Sequence, residues 1–293
     1  MFQGIYVATA TPFRPDGSLD EAAYAAHVHR LVAAGVHGLV PSGTTGEGPT
    51  LNAGERQAMI RLCREAVQGR AKVVAGAGTY NTAASVEATR AAKDAGADGV
   101  LAVVPYYNKP MQHGMIRHFQ AIADVGLPVM IYNIPGRTSV NMTAESIAEA
   151  AKHPQIAAVK EATGTVTATA EIVALAPRLD VLAGDDALFL PCLAVGGCGV
   201  VSVAANVDPT RMVTLWNAWQ AGDLAGAQKL NRQLWPLFRA LFVETNPIPV
   251  KAALRLLGHF GPTLRLPMTE AMETTVARLS VVLRELGLLG GAK

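Results

Sequence analysis

Short apolar, β-branched runs recur along the chain up to residue 203, at 5–10, 38–41, 73–77, 99–104, 128–132, 156–160, 181–183 and 199–203. Each is followed by a polar or glycine-rich turn and then, in most cases, by apolar residues at helical spacing. The amphipathic stretches lie at 20–34, 53–68, 82–95, 112–125, 143–152 and 166–176. Short runs of this kind, bounded by turn signals, read as buried strands. Strands alternating with helices at this spacing argue for βα units and a parallel sheet. Eight such units predict a (β/α)8 TIM barrel over residues 1–206. A doubly wound sheet is the competing architecture, but its glycine fingerprint is missing. The run Gly76-Ala77-Gly78-Thr79-Tyr80-Asn81 breaks the GxGxxG pattern at its third glycine.

After Asn206 the strand signal stops. Residues 209–220, 224–242, 249–257 and 269–288 carry helical patterns with proline and glycine between them. This tail is too long to be one closing helix, and no linker-like stretch sets it apart. Residues 207–293 are therefore predicted to form a helical appendage packed on the barrel.

Composition narrows the function classes. Half of the 293 residues are hydrophobic, and 16% are charged with a net charge of +2, so neither a basic patch for nucleic acid nor an acidic tail is present. Residues 1–20 lack a basic start followed by a long apolar stretch, and no charge-free apolar run approaches the ~20 residues of a membrane span. A cytoplasmic, soluble protein is expected. Cys63, Cys192 and Cys198 match no zinc spacing and read as buried small hydrophobes. His27 and His29 lie two apart on a predicted helix, on different faces, so no protein-held metal is expected.

In barrels of this kind chemistry sits where the strands exit at their C-terminal ends. Unusual polar residues fall there repeatedly: Thr9 and Thr11, then Ser42-Gly43-Thr44-Thr45-Gly46-Glu47, then Pro105-Tyr106-Tyr107-Asn108. Tyr132-Asn133 through Arg137-Thr138 follow the fifth run, Lys160 closes the sixth, Gly184-Asp185-Asp186 follow the seventh, and Ser202 lies in the eighth. Burial disfavours a charged amine, and a free amine beside a carbonyl substrate makes a Schiff base. Lys160 is thus either a nucleophile or a strand-end lysine paired with Glu161. The successive amides of the Gly43–Glu47 turn would cradle a carboxylate, or serve only as turn chemistry. Tyr132 is a core tyrosine or a proton shuttle beside the amine. Of Tyr106 and Tyr107, one is expected only to pack. Arg137, in a Pro-Gly loop, is either solvated or placed for bidentate capture of a substrate carboxylate.

Taken together, Gly43-Thr44-Thr45-Gly46-Glu47, Tyr132-Asn133-Ile134-Pro135, Lys160-Glu161-Ala162-Thr163 and Gly184-Asp185-Asp186 resemble the pyruvate-dependent class I aldolase family. That family includes dihydrodipicolinate synthase and N-acetylneuraminate lyase, and the resemblance runs from Gly4 to the C-terminal helices. Pro135-Gly136-Arg137-Thr138, Pro105–Pro110, Asn246–Lys251 and Leu264–Met268 look like the synthase branch. The resemblance implies condensation of pyruvate with L-aspartate 4-semialdehyde to 4-hydroxy-tetrahydrodipicolinate, the first committed step of lysine synthesis through diaminopimelate. The alternative is a related aldolase that cleaves a sugar-derived 2-keto acid.

By the same resemblance Lys160 forms the imine, and Tyr132, Thr44 and Tyr107 make a proton relay, with Tyr107 serving the neighbouring subunit's site. The Thr44 and Thr45 turn would hold pyruvate, Arg137 the semialdehyde carboxylate, and Gly184 and Val201 would line the pocket. No cofactor is implied. The assembly implied is a homo-oligomer built from a tight dimer, usually a tetramer.

Overall fold

The computed structural model describes residues 1–290. Eight strands, β1 (Gly4–Ala8), β2 (Gly38–Val40), β3 (Lys72–Gly76), β4 (Gly99–Val103), β5 (Val129–Asn133), β6 (Ile156–Glu161), β7 (Asp180–Ala183) and β8 (Gly199–Ser202), close in sequence order into one parallel barrel. The seam pairs Gly4 with Gly199 and Val7 with Ser202. Both faces of the strands are buried, which explains why they read as continuous apolar runs instead of alternating ones. The alternation survives in where the side chains go. Tyr6, Val40, Val74, Leu101, Met130, Tyr132, Ala158, Leu182 and Val201 form the inner cluster. Their neighbours Ile5, Leu39, Val73, Val100, Ile131, Val159, Val181 and Val200 belong to the layer packed under the helices. Lys160 follows Val159 and so shares the inner face with Ala158. The Tyr6 ring leaves no room on β2: a Cβ at Gly38 would lie 2.1 Å from it.

Helices α1 (Glu21–Ala33), α2 (Ala53–Val67), α3 (Thr82–Asp94), α4 (Gln112–Ala123), α5 (Pro135–Thr138), α6 (Ala144–Ala150), α7 (Val166–Leu175) and α8 (Phe189–Ala194) connect the strands. Five of these helices start at side chains that accept the first free amides: Asp20, Asn81, Thr143 and Thr165, and Asn52 with Glu55 as a capping box. The one-turn α5 was not anticipated, although Pro135 at its first position suits a helix start. The strand β6 runs one residue past Lys160, because its pairing with β5 continues to Asn133 and Glu161.

The tail forms α9 (Pro209–Gln220), α10 (Leu224–Ala240), α11 (Ile248–Leu256) and α12 (Glu273–Glu285). Here α10 packs on α8 and on the turn 186–188, and α11 packs on the turn after β8, so the tail reaches the C-terminal strand ends. The last helix is shorter than the predicted 269–288. Backbone donors ahead of it are taken by distant carboxylates: Arg265 N donates to Glu47 and Met272 N to Glu244. Residues 291–293 of the predicted appendage lie outside the described residues.

Barrel closure is fastened by a buried buckle. His27 Nε2 lies 3.0 Å from Asn206 Oδ1, which also accepts from Ala10 N at 3.0 Å, while Asn206 Nδ2 donates to Ala8 O at 2.8 Å. Burial pulls the pKa of His27 down to about 3 and that of His118 down to about 4. Both lie below the value of ~6.5 expected in the unfolded chain, so the unfolded state takes up the protons first as pH falls. Stability from these groups is fully present above pH ~6.5 and is lost towards acid. Between pH 7 and pH 5 the unfolding free energy should fall by about 2 kcal/mol for each histidine. Urea titrations of the parent and of His118→Gln at the two pH values check this: the parent should lose about 2 kcal/mol more than the variant between them. An equal change in the parent and in His118→Gln would show that the His118 imidazole is not held neutral by burial.

Candidate active site

Tyr132 and Lys160 are direct register partners on β5 and β6, both on the inner face near the C-terminal end of the barrel. Lys160 is 5% exposed and Tyr132 6%, and the amine lies 4.0 Å from the centroid of the Tyr132 ring. The Glu161 carboxylate does not pair with Lys160. Adjacent residues on a strand point to opposite faces, and Glu161 accepts from Asn133 Nδ2 at 3.1 Å and from Thr163 N at 2.6 Å. Burial raises the Glu161 pKa, and these hydrogen bonds work against the rise. Asn133 in turn accepts from Met142 N at 3.1 Å, so the ends of β5 and β6 are locked on the outer side. The locked pair flanks Tyr132 and Lys160 and fixes the strand backbone that carries them.

Beside β6, Gly184 follows β7 and donates its N–H to Glu161 O at 2.7 Å. A Cβ there would lie 2.6 Å from Ala162 Cβ and 3.2 Å from Lys160 Cγ, so the glycine leaves space for the lysine stem. Val201 is fully buried in the inner cluster that also contains Tyr132.

The Gly43–Glu47 turn is bracketed by two residues with left-handed backbones, Ser42 at φ 60° and Glu47 at φ 53°. It is closed by Glu47 N donating to Thr44 O at 3.1 Å and Gly48 N to Gly43 O at 3.0 Å. Neighbouring backbone crowds it, since a Cβ on either Gly48 or Gly76 would fall 2.3 Å from Ser42 O. Thr44, Tyr132 and Arg137 line one cavity of about 450 Å³. Thr45 is buried, and its Oγ1 accepts from Asn246 Nδ2 at 3.0 Å. Arg137, on α5, donates from Nη2 to Asn246 O at 3.1 Å. One residue of the appendage therefore holds both the turn and the arginine. The sequence reading noted 246–251 only as a likeness and gave Asn246 no role.

Tyr107 stands apart. It is 86% exposed with φ 68°, and Tyr106 instead lines the cavity of its own chain, edge-on to Tyr80 at 5.2 Å. Of the eight residues singled out from the sequence, Lys160, Tyr132, Gly184 and Val201 gather around the inner barrel end. Thr44 and Arg137 join Tyr132 at the cavity, while Thr45 is buried outside its lining and Tyr107 is exposed outside it. Among the described residues no group of three or more His, Cys, Asp or Glu side chains is disposed to hold a metal ion, and no helix is long and apolar enough to cross a membrane. The cavity offers a phenol, a hydroxyl and a guanidinium, and the Lys160 amine lies buried against the ring of that phenol. That set suits a carbonyl substrate bearing a carboxylate.

Comparison with known proteins places the whole chain beside one family. The profile of the dihydrodipicolinate synthetase family matches residues 1–286. The 4-hydroxy-tetrahydrodipicolinate synthase of Methanoculleus marisnigri is 49% identical over 97% of this chain and 99% of its own. The solved dihydrodipicolinate synthase from Thermotoga maritima is similar with a TM-score of 0.96 and 42% identity, covering 99% of this chain and 100% of that one. That from Acinetobacter baumannii, solved in complex with pyruvate, has a TM-score of 0.96 and 36% identity, over 99% of this chain and 100% of its own.

Proposed function

The chain belongs to the dihydrodipicolinate synthetase family, and from that premise we propose that its chemistry runs through an imine on Lys160. The enzyme condenses pyruvate with L-aspartate 4-semialdehyde to 4-hydroxy-tetrahydrodipicolinate, the first committed step of lysine synthesis through diaminopimelate. The synthase names of its near relatives favour this over cleavage of a sugar-derived 2-keto acid. The observation that carries the residue assignment is the buried Lys160 amine lying 4.0 Å from the Tyr132 ring centroid.

In this reading the Lys160 amine adds to the pyruvate carbonyl and water leaves, giving the imine. The imine draws electrons from the methyl group, a proton departs, and the enamine attacks the aldehyde carbon of the semialdehyde. The amino group of the adduct then displaces Lys160 and closes the ring. Tyr132 moves protons in imine formation and in cyclisation, a role that contributes ~10²–10⁴-fold where geometry is right. Thr44 relays the proton, and the Thr44–Thr45 turn holds the pyruvate carboxylate with its amides. Arg137 binds the carboxylate of the second substrate, and Gly184 and Val201 shape the space around the imine. The protein lysine supplies the electron sink, so the cycle uses no cofactor.

The test is borohydride inactivation, which should require pyruvate, combined with a coupled assay. Turnover is expected with the semialdehyde and not with N-acetylneuraminate. A trapped adduct without turnover of the semialdehyde would reduce the chain to a pyruvate binder.

Tyr107 completes the relay from a second subunit in this reading, which makes a tight dimer the least functional assembly. Its exposure, and its place outside the lining of its own chain's cavity, support that role. Mixing Tyr107→Phe with Tyr132→Phe should then restore activity, because one site of each hybrid dimer keeps both tyrosines. No recovery despite proven subunit exchange would remove Tyr107 from the relay.

A further inference from the structure

Glu47 ends the turn assigned above to the pyruvate carboxylate, and its side chain leads away from the cavity into the appendage. Its Oε1 accepts from Lys251 Nζ of α11 at 2.7 Å, and its Oε2 accepts from Arg265 N at 3.0 Å. Lys251 has no exposed surface, donates also to Thr263 O at 2.5 Å, and lies 4.5 Å from the centroid of Phe13. The Arg265 guanidinium covers the same ring at 4.2 Å and is itself held by Glu55, Thr50 O and Gly17 O. Every charged group here is tied to at least two partners.

Stability alone does not account for this arrangement. Taking two charges out of water costs about as much as their attraction returns, and a well-packed apolar pair of similar volume often does as well or better. Burial pulls the Lys251 pKa below its ordinary value, and the Glu47 carboxylate opposes the shift. What the pair does define is geometry. Glu47 holds a left-handed backbone, unusual for a residue with a long side chain, and such conformations persist where surrounding contacts over-determine them. Its amide closes the turn on Thr44 O at 3.1 Å, so a side chain fixed at both oxygens fixes the orientation of the Thr44 and Thr45 amides as well.

We propose that Lys251, acting through Glu47, is a positioning residue for pyruvate: the appendage sets the carboxylate-binding turn by clamping its last residue. This rests on the reading that the Thr44–Thr45 turn binds that carboxylate. The coupling runs from α11 through a buried ion pair to the turn, and neither partner touches substrate.

The informative variant is the double Glu47→Gln/Lys251→Met, which removes both charges at near-constant volume and leaves no ion unpaired. It should melt close to the parent. The KM for pyruvate should rise roughly tenfold or more, the equivalent of one hydrogen bond to a charged group. The KM for the semialdehyde should stay within about twofold, as for a distant, uncoupled site, and kcat at saturating pyruvate should change far less than the pyruvate KM. A merely structural pair would change the melting temperature and leave the ratio of the two KM values alone. Glu47→Asp keeps the charge opposite Lys251 but is one methylene too short to hold both Lys251 Nζ and Arg265 N, and it gives the same readout should the double variant not fold. A Thr45→Pro variant, which deletes one of the turn's amide donors, separates the carboxylate site from the clamp. If it leaves the pyruvate KM unchanged, the turn is not the carboxylate site and the proposal falls with that assignment. If it raises the pyruvate KM and the folded Glu47 and Lys251 variants do not, the assignment stands and the clamp is wrong.

Discussion

Lys160→Ala should trap no pyruvate under borohydride, while the parent protein should carry a pyruvyl mass on the peptide containing Lys160. Removal of the covalent route should lower kcat/KM by roughly 10⁴-fold or more, in line with losses seen when a nucleophile that works with its neighbours as a unit is deleted. Slow residual turnover is compatible with the assignment, because Tyr132, the Thr44–Thr45 turn and Arg137 would still gather the reactants. Trapping at the parental level would end it. Folding should be little affected. Among the described residues Lys160 pairs with no carboxylate, and the Tyr132 ring it lies against remains packed in the inner cluster. A lost adduct with an unchanged melting temperature therefore isolates chemistry from stability.

The strand order was legible because each strand is a compact apolar run with a turn behind it, and both properties are local. Which face Lys160 uses was not. Runs buried on both sides carry no alternation to read, and the inward direction emerges only from the pairing of Lys160 with Tyr132. That pairing also disposes of the Glu161 partnership, which sequence adjacency suggests and strand geometry forbids. Asn246 and Lys251 were illegible for a different reason. They meet Thr45 and Glu47 across 201 and 204 residues of chain, beyond the reach of any periodicity. Their run, Asn246–Lys251, could be noticed as a motif but not given a task. Tyr106 and Tyr107 are the same residue type in sequence, yet one lines the cavity and the other, with a left-handed backbone, stands in solvent.

Arg137→Ala should act on the second substrate alone. The guanidinium offers five donors in a planar fork, and one nitrogen, Nη2, is tethered to Asn246 O at 3.1 Å. The tether aims the remaining donors at the cavity that Arg137 shares with Thr44 and Tyr132. Loss of a charge-assisted bidentate contact of about 1.5–3 kcal/mol should raise the KM for the semialdehyde roughly ten- to a hundredfold. The pyruvate KM should move little, since the Thr45 contact with Asn246 uses the side chain of that residue and the arginine uses its backbone. Arg137→Lys should not rescue the loss, because an ammonium supplies the charge without the fork. Steady-state kinetics with each substrate varied in turn decides the matter. A parallel rise in both constants would mean that Arg137 matters as a brace for Asn246, and through it for the pyruvate turn, instead of as the ligand of the semialdehyde.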